Sequence, residues 1–214
     1  MRAVSLLLSL LLLLGFLLTG CADDEEPGPD DPAVVDPPPT PDLLMQAYKT
    51  CHEDMDPAQL DVLLHENFRF ILQQDTVNEF DLPDNDFDRT EDLAILQNIF
   101  SGDPLTTPGG MVPGVSAISF TTFEQQAAWS TTPANDPNFP SATYATFNVR
   151  LEFARPGATY LIIQGFLQFY VAEVATTSGS GYQLLGMVDL TNGKSTENVS
   201  LGAVHALYRT PDPE

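Results

Sequence analysis

The sequence predicts an α+β fold, with helices first and a run of long strands after. Apolar residues recur at helical spacing as far as Gly102, and from Val115 onward they alternate with period two. The segments Pro104 to Pro113, Thr131 to Pro140 and Thr176 to Gly181 are rich in Gly, Pro, Ser and Thr and read as the loops between strands. Helices followed by strands in this order argue for an antiparallel sheet that covers the helices with one face.

The elements follow in order. Thr40 before Pro41 is a cap with proline at the first helical position, and Leu44, Ala47, Tyr48, Cys51 and Met55 then mark one helical face. Asp56-Pro57 opens a second, shorter helix with Leu60, Leu63 and Leu64 inward. Phe68, Phe70 and Leu72 alternate with Arg69 and Ile71, as in a strand. Asp88 with Glu91 three residues on reads as a capping box for a third helix, which buries Leu93, Leu96, Ile99 and Phe100 and ends at Gly102. The clearest strand is Thr143 to Phe153, where Ala145, Phe147, Val149, Leu151 and Phe153 share one face and polar residues dominate the other. Val115 to Trp129, Thr159 to Val174 and Tyr182 to Leu190 are further strands, long enough to require bends or bulges.

The first forty residues belong to a different class. Arg2 is followed by an apolar run from Val4 to Leu18 and then by Thr19-Gly20-Cys21, the layout of a secretory signal. The run is about 15 residues, short of the roughly 20 that span a bilayer. Leu18-Thr19-Gly20-Cys21 resembles the bacterial lipobox, which implies removal of residues 1–20 and acylation of Cys21. Lipidation at Cys21 would anchor the protein to a membrane of the bacterial cell envelope. Ala22, where an aspartate would signal retention in the inner membrane, points to the outer membrane in a host that has two. Residues 21–41 then combine the acylated cysteine with a proline- and aspartate-rich segment, from Asp23 through Pro27, Pro29, Asp36 and Pro39 to Pro41. Proline stiffness and acidic self-repulsion make this an extended tether of roughly 60 Å at full polyproline extension. Residues 42–209 are of single-domain length, and 210–214 form a tail.

Composition excludes one class of function. The formal net charge is −22, with 30 acidic against 8 basic residues. Such a surface repels nucleic acid, whose affinity rests on basic residues that neutralise phosphates. With Cys21 carrying lipid, Cys51 has no partner for a disulfide and reads as a small buried hydrophobe on a helix face.

Taken together, the two N-terminal helices, "LLHENFRFIL", "FDRTEDLAILQNIFSG", "YQLLGMVDLT" and the closing "SLGAVHALYR" resemble the nuclear transport factor 2-like (SnoaL-like) superfamily over most of residues 42–209. The resemblance implies a cone, in which a curved antiparallel sheet wraps the N-terminal helices and often leaves a pocket. Some members are enzymes, among them ketosteroid isomerase, scytalone dehydratase, limonene epoxide hydrolase and SnoaL-like cyclases. Others only bind ligands or partners.

A pocket enzyme of this kind needs a carboxylate or histidine base near a polarising donor. Asp189 is the best candidate, placed by period two on one strand face with Leu185 and Met187. The favoured alternative is that its carboxylate closes the strand by accepting amides near the turn Thr191-Asn192-Gly193. Tyr48, His65 and Trp129 are candidate donors or walls for a ligand. Gln164 and Gln168 either line a pocket or pair with neighbours on a half-wet sheet face. His52-Glu53 and His65-Glu66 each look like half of a zinc motif, but neither has a histidine three residues after the glutamate, so no metal or cofactor is expected. Two function classes remain. The first is a tethered, non-catalytic domain that binds a small apolar ligand or a protein partner, including a second copy through the sheet. The alternative is an isomerase, dehydratase or hydrolase that uses a pocket carboxylate.

Overall fold

Side-chain caps start four of the five helices among the described residues. The computed structural model describes residues 36–107, 110–157, 159–177, 179–191 and 199–210. The segments read from sequence as a signal peptide and as a tether, with Cys21, lie outside the described residues as far as residue 35, as do Asn192-Gly193 and residues 211–214. The Thr40 side chain accepts from Leu43 N and opens α1 (Pro41–Glu53), and Asp56 accepts from Ala58 N and Gln59 N to open α2 (Pro57–Leu63). Both helices carry proline in the first turn, where a missing N–H costs nothing. The chain continues through β1 (Leu64–Ile71), α3 (Gln74–Phe80) and β2 (Asp86–Asp88) into α4 (Arg89–Phe100), whose Asp88–Glu91 capping box forms in full. The strands β3 (Leu105–Thr107), β4 (Gly110–Val112), β5 (Ala117–Gln125), β6 (Ser130–Thr131), β7 (Thr143–Arg155), β8 (Thr159–Thr176) and β9 (Gly179–Thr191) follow, and α5 (Leu201–Leu207) closes the domain.

The main sheet has the order β2-β1-β9-β8-β7-β5, with β6 beside β7, and β3 and β4 form a small separate hairpin. The α+β class holds, with one correction to the sheet: β1 and β9 run parallel, while the other pairs are antiparallel. Antiparallel direction is imposed by hairpin turns. More than half of the domain lies between β1 and β9, so no turn sets their direction.

One face of the sheet carries the core. Phe147, Val149, Leu151 and Phe153 of β7 point inward with Leu161, Ile163, Leu167 and Phe169 of β8, all at most 4% exposed. Each contributes about 1.5–3 kcal/mol through burial. They meet Leu44, Tyr48 and Cys51 of α1 and Ile95, Leu96 and Ile99 of α4 in a single cluster. The opposite face is covered locally by the segment before β7, where Phe139 stacks on Tyr170 at 4.2 Å and joins Ile71, Ala142 and Leu185. Gly186 permits this packing, because a Cβ there would collide with the Phe139 ring.

The structure differs from the sequence reading at several points: the segment Pro104 to Pro113, read as a loop, contains the β3–β4 hairpin, and α5 was not read as a helix. Helix α3 was not anticipated, because in Gln-Asp-Thr-Val-Asn-Glu-Phe only Thr76 is buried and no apolar stripe announces it. Leu185 does not share a face with Met187 and Asp189. The register between β8 and β9 shifts by one residue between Tyr170 and Val171, so Leu185 is the extra residue of a bulge and turns to the Phe139 side. Finally, Asp36 to Pro38, read as the end of the tether, lie against the β8–β9 hairpin. Asp36 accepts from Thr177 N and Oγ1, and Pro38 O accepts from Tyr182 N at 2.8 Å.

Candidate functional site

Asp189 ends the core face of β9, 1% exposed, and its carboxylate is fully engaged. Oδ1 accepts from Thr191 N at 2.9 Å and from Thr191 Oγ1 at 2.5 Å, while Oδ2 accepts from Gly202 N at 2.8 Å. Thr191 Oγ1 in turn accepts from Leu201 N at 3.1 Å, and Ser200 caps α5 through Ala203 N. The carboxylate therefore clamps the N-terminus of α5 to the end of β9, where the helix dipole favours a negative charge. Gly202 makes the close approach feasible: a Cβ there would stand 2.9 Å from Leu72 Cδ2 and 3.1 Å from Asp189 Oδ2.

The other residues singled out from sequence are scattered. Tyr48 is in the core, and its hydroxyl donates to Met187 Sδ at 3.7 Å. His65 lies on β1, where its Nδ1 accepts from Asn67 N. Trp129 donates from Nε1 to Asp42 Oδ1 at 2.7 Å, tying the segment after β5 to α1. Gln164 and Gln168 lie on the outer sheet face, not in a pocket. Arg150 donates to Gln164 Oε1, while Gln168 donates to Thr146 Oγ1 and accepts from Tyr170.

A different set of ionisable groups converges inside the core, on α1, α4 and α5. Tyr48 and His52 come from α1, Asp92 from α4 and His205 from α5, and none is more than 4% exposed. Each histidine places Nδ1 against the carbonyl four residues earlier, His52 on Tyr48 O at 2.9 Å and His205 on Leu201 O at 3.0 Å. That carbonyl can only accept, so Nδ1 carries a proton in both rings. His205 Nε2 stands 3.2 Å from Asp92 Oδ1, but neither atom has a well-aligned hydrogen bond among the described residues. Phe70 at 4.8 Å and Phe87 at 6.4 Å flank the ring. Sequence reasoning passed over Asp92 and His205. The available signal was an ionisable residue inside a buried helical stripe, Asp92 with Ile95 and Ile99, and His205 with Leu201 and Val204.

Burial sets the protonation of the neighbouring groups. It lowers His52 to about 4, with His205 adding to the effect and the Tyr48 carbonyl opposing it, so His52 is neutral at pH 7. The Tyr48 hydroxyl is raised well above its usual value by burial and then by Asp92. Burial, with Asp56 adding, pushes the Cys51 thiol up to about 12. Cys51 is 0% exposed and donates to Tyr48 O at 3.2 Å, so it is a core residue and not a nucleophile. A maleimide is expected to leave Cys51 unmodified in the native protein at pH 7 and to label it at once in denaturant, as followed by intact mass.

In this arrangement both His205 ring nitrogens face protein oxygens, Nδ1 the Leu201 carbonyl and Nε2 the Asp92 carboxyl. A separate surface cavity of about 170 Å³ is lined by Pro83, Asp84, Asp86, Phe87, Glu91 and Arg209, among others. Among the described residues, no group of three or more His, Cys, Asp and Glu is arranged to hold a metal ion, and no helix is long and apolar enough to cross a membrane.

No protein-family model matches the chain, and no curated protein does. Among solved structures, it is similar to a candidate aromatic ring hydroxylase from Novosphingobium aromaticivorans (12% identity, TM-score 0.44, 69% of this chain and 82% of that chain). A conserved protein from Planctomyces limnophilus aligns at 12% identity and TM-score 0.42, over 71% of this chain and 92% of that one. A nuclear transport factor 2-like protein of unknown function in nutrient uptake, from Rhodospirillum rubrum, aligns at 9% identity and TM-score 0.39, over 69% and 93%.

Proposed function

We propose that this chain is a bacterial lipoprotein, acylated at Cys21 and held at the cell envelope, on the outer membrane where the host has two. We further propose that its nuclear transport factor 2-like domain is a non-catalytic binding module for a small apolar ligand or a protein partner. The observation that carries the binding reading is the state of Asp189. The residue best placed to act as a base has both oxygens occupied by protein donors and serves to hold α5. A surface for a partner, including a second copy of the chain, is offered by the outer sheet face. There Phe166 and Leu190 lie side by side on adjacent strands, 43% and 45% exposed.

One observation favours the enzyme reading, namely the buried Asp92–His205 pair, which has the composition of an acid–base couple. Native mass spectrometry of the domain purified from its own envelope separates the two readings. A co-purifying small molecule or second subunit supports binding. An unliganded monomer that turns over an envelope metabolite sinks it. The anchor is tested separately: Cys21→Ser is expected to accumulate as an unprocessed precursor without fatty acid label. A variant still cleaved and labelled would overturn the assignment.

A further inference from the structure

We propose that Arg155 is the anchor for the carboxylate of a small apolar acid. This rests on the binding reading above and names the ligand class. The chain carries 30 acidic residues against 8 basic ones, so carboxylates to pair with an arginine are abundant. Among the described residues, Lys49, Arg69, Arg89, Arg150 and Arg209 each lie within 3.0 Å of one. Arg155 is the one described lysine or arginine outside these pairs, and its buried Nε has no hydrogen-bond acceptor. A guanidinium is a rigid fork of N–H donors that matches a carboxylate, and a buried donor left unmet costs stability. In a chain so rich in acid, the missing acceptor is one that the fold leaves to a partner.

The strands fix where this fork stands. Arg155 ends β7, two residues beyond the buried Phe153 on the core-facing side of the pleat and opposite Thr159 of β8. Ala154 O accepts from Ser116 N and Ser116 Oγ, which pins this end of β7 from the β5 side. The Arg155 side chain is half-buried, so it is open to solvent at the rim of the core. Tyr208, 0% exposed, lies close by: burial raises its hydroxyl and the Arg155 charge opposes the rise. That hydroxyl already donates to Pro113 O at 2.5 Å. A charge partly withdrawn from water in this way attracts a single carboxylate more strongly than an exposed one does. The net charge of −22 repels a ligand that carries several. One carboxylate on an apolar body is the chemistry that satisfies both conditions.

The test uses the full chain with sodium octanoate as the probe, and 1-octanol as the same apolar body without the charge. Octanoate is expected to raise the thermal midpoint of the parent with saturation, by roughly 3–6 °C at a tenfold excess over the dissociation constant. Octanol should leave it unchanged. Arg155→Gln should abolish the response to octanoate without lowering the midpoint in buffer, because it removes a donor that the fold does not satisfy. Arg155→Lys keeps the charge but not the fork, so it should bind octanoate more weakly than the parent; this variant carries the test if Arg155→Gln does not fold. A parent midpoint that octanoate leaves unchanged overturns the proposal. An equal rise with octanol, or in both variants, overturns it too, as does a response to inorganic phosphate but not to octanoate. A negative result alongside a ligand of another class in native mass spectrometry removes the Arg155 anchor and leaves the binding reading standing.

Discussion

Asp189→Asn is expected to destabilise the domain by about 1–3 kcal/mol, the cost of leaving a buried group without its partner. In a domain of this size that lowers the thermal midpoint by roughly 3–10 °C. The side chain keeps its shape, and its remaining oxygen can still accept from Thr191. The new NH2 group, however, faces Gly202 N, which is also a donor. The N-terminus of α5 then loses both an acceptor and a charge that complements its dipole. Retention of a bound ligand should change little. A catalytic base behaves in the opposite way, because it is kept in an apolar pocket at some cost to the fold, and its replacement often stabilises. A clearly stabilised Asp189→Asn protein would therefore reverse the assignment and put the enzyme reading first.

Acid should unfold the domain through His52 over a defined window. In the unfolded chain this histidine takes up a proton near its ordinary value of 6.5, whereas in the folded core burial holds it to about 4. Between these values the unfolded state binds more protons, so stability falls as pH drops from about 6.5 and levels off below about 4. The full loss is about 3 kcal/mol, a large share of the roughly 5–15 kcal/mol that holds a domain together. The many carboxylates of this chain also titrate in acid, so the measurement is a difference. Urea midpoints of the parent and of His52→Gln, taken from pH 7 to pH 4, should converge by this amount. Parallel curves would show that His52 does not resist protonation in the core.

Local rules were legible in the sequence because they are satisfied within a few residues. The caps at Thr40, Asp56 and Asp88 each bond an amide two or three positions away. The inward face of β7 follows from the pleat alone, and every one of its five apolar positions is buried. The choice for Asp189 between base and strand closure could also be framed from sequence, since Thr191 is two residues on. Its second anchor could not, because Gly202 N is brought in by α5, beyond the turn.

What the tertiary structure decided is of one kind: contacts whose partners are far apart in the chain. The bulge at Leu185 comes from pairing β9 against β8 and reverses the face that period two assigned to that residue. The parallel pairing of β1 with β9 has no local signal, since no turn connects them. The meeting of Asp92 with His205 depends on α5 docking against α4, and a helical stripe says only that a side chain faces inward, not what it faces. The sequence by itself determined the α+β class, the starts of α1, α2 and α4 and the inward face of β7, because backbone geometry and side-chain periodicity act locally. The fold decided which buried polar groups meet and which carboxylate is clamped, because in a low-dielectric core those contacts depend on partners that only tertiary packing supplies.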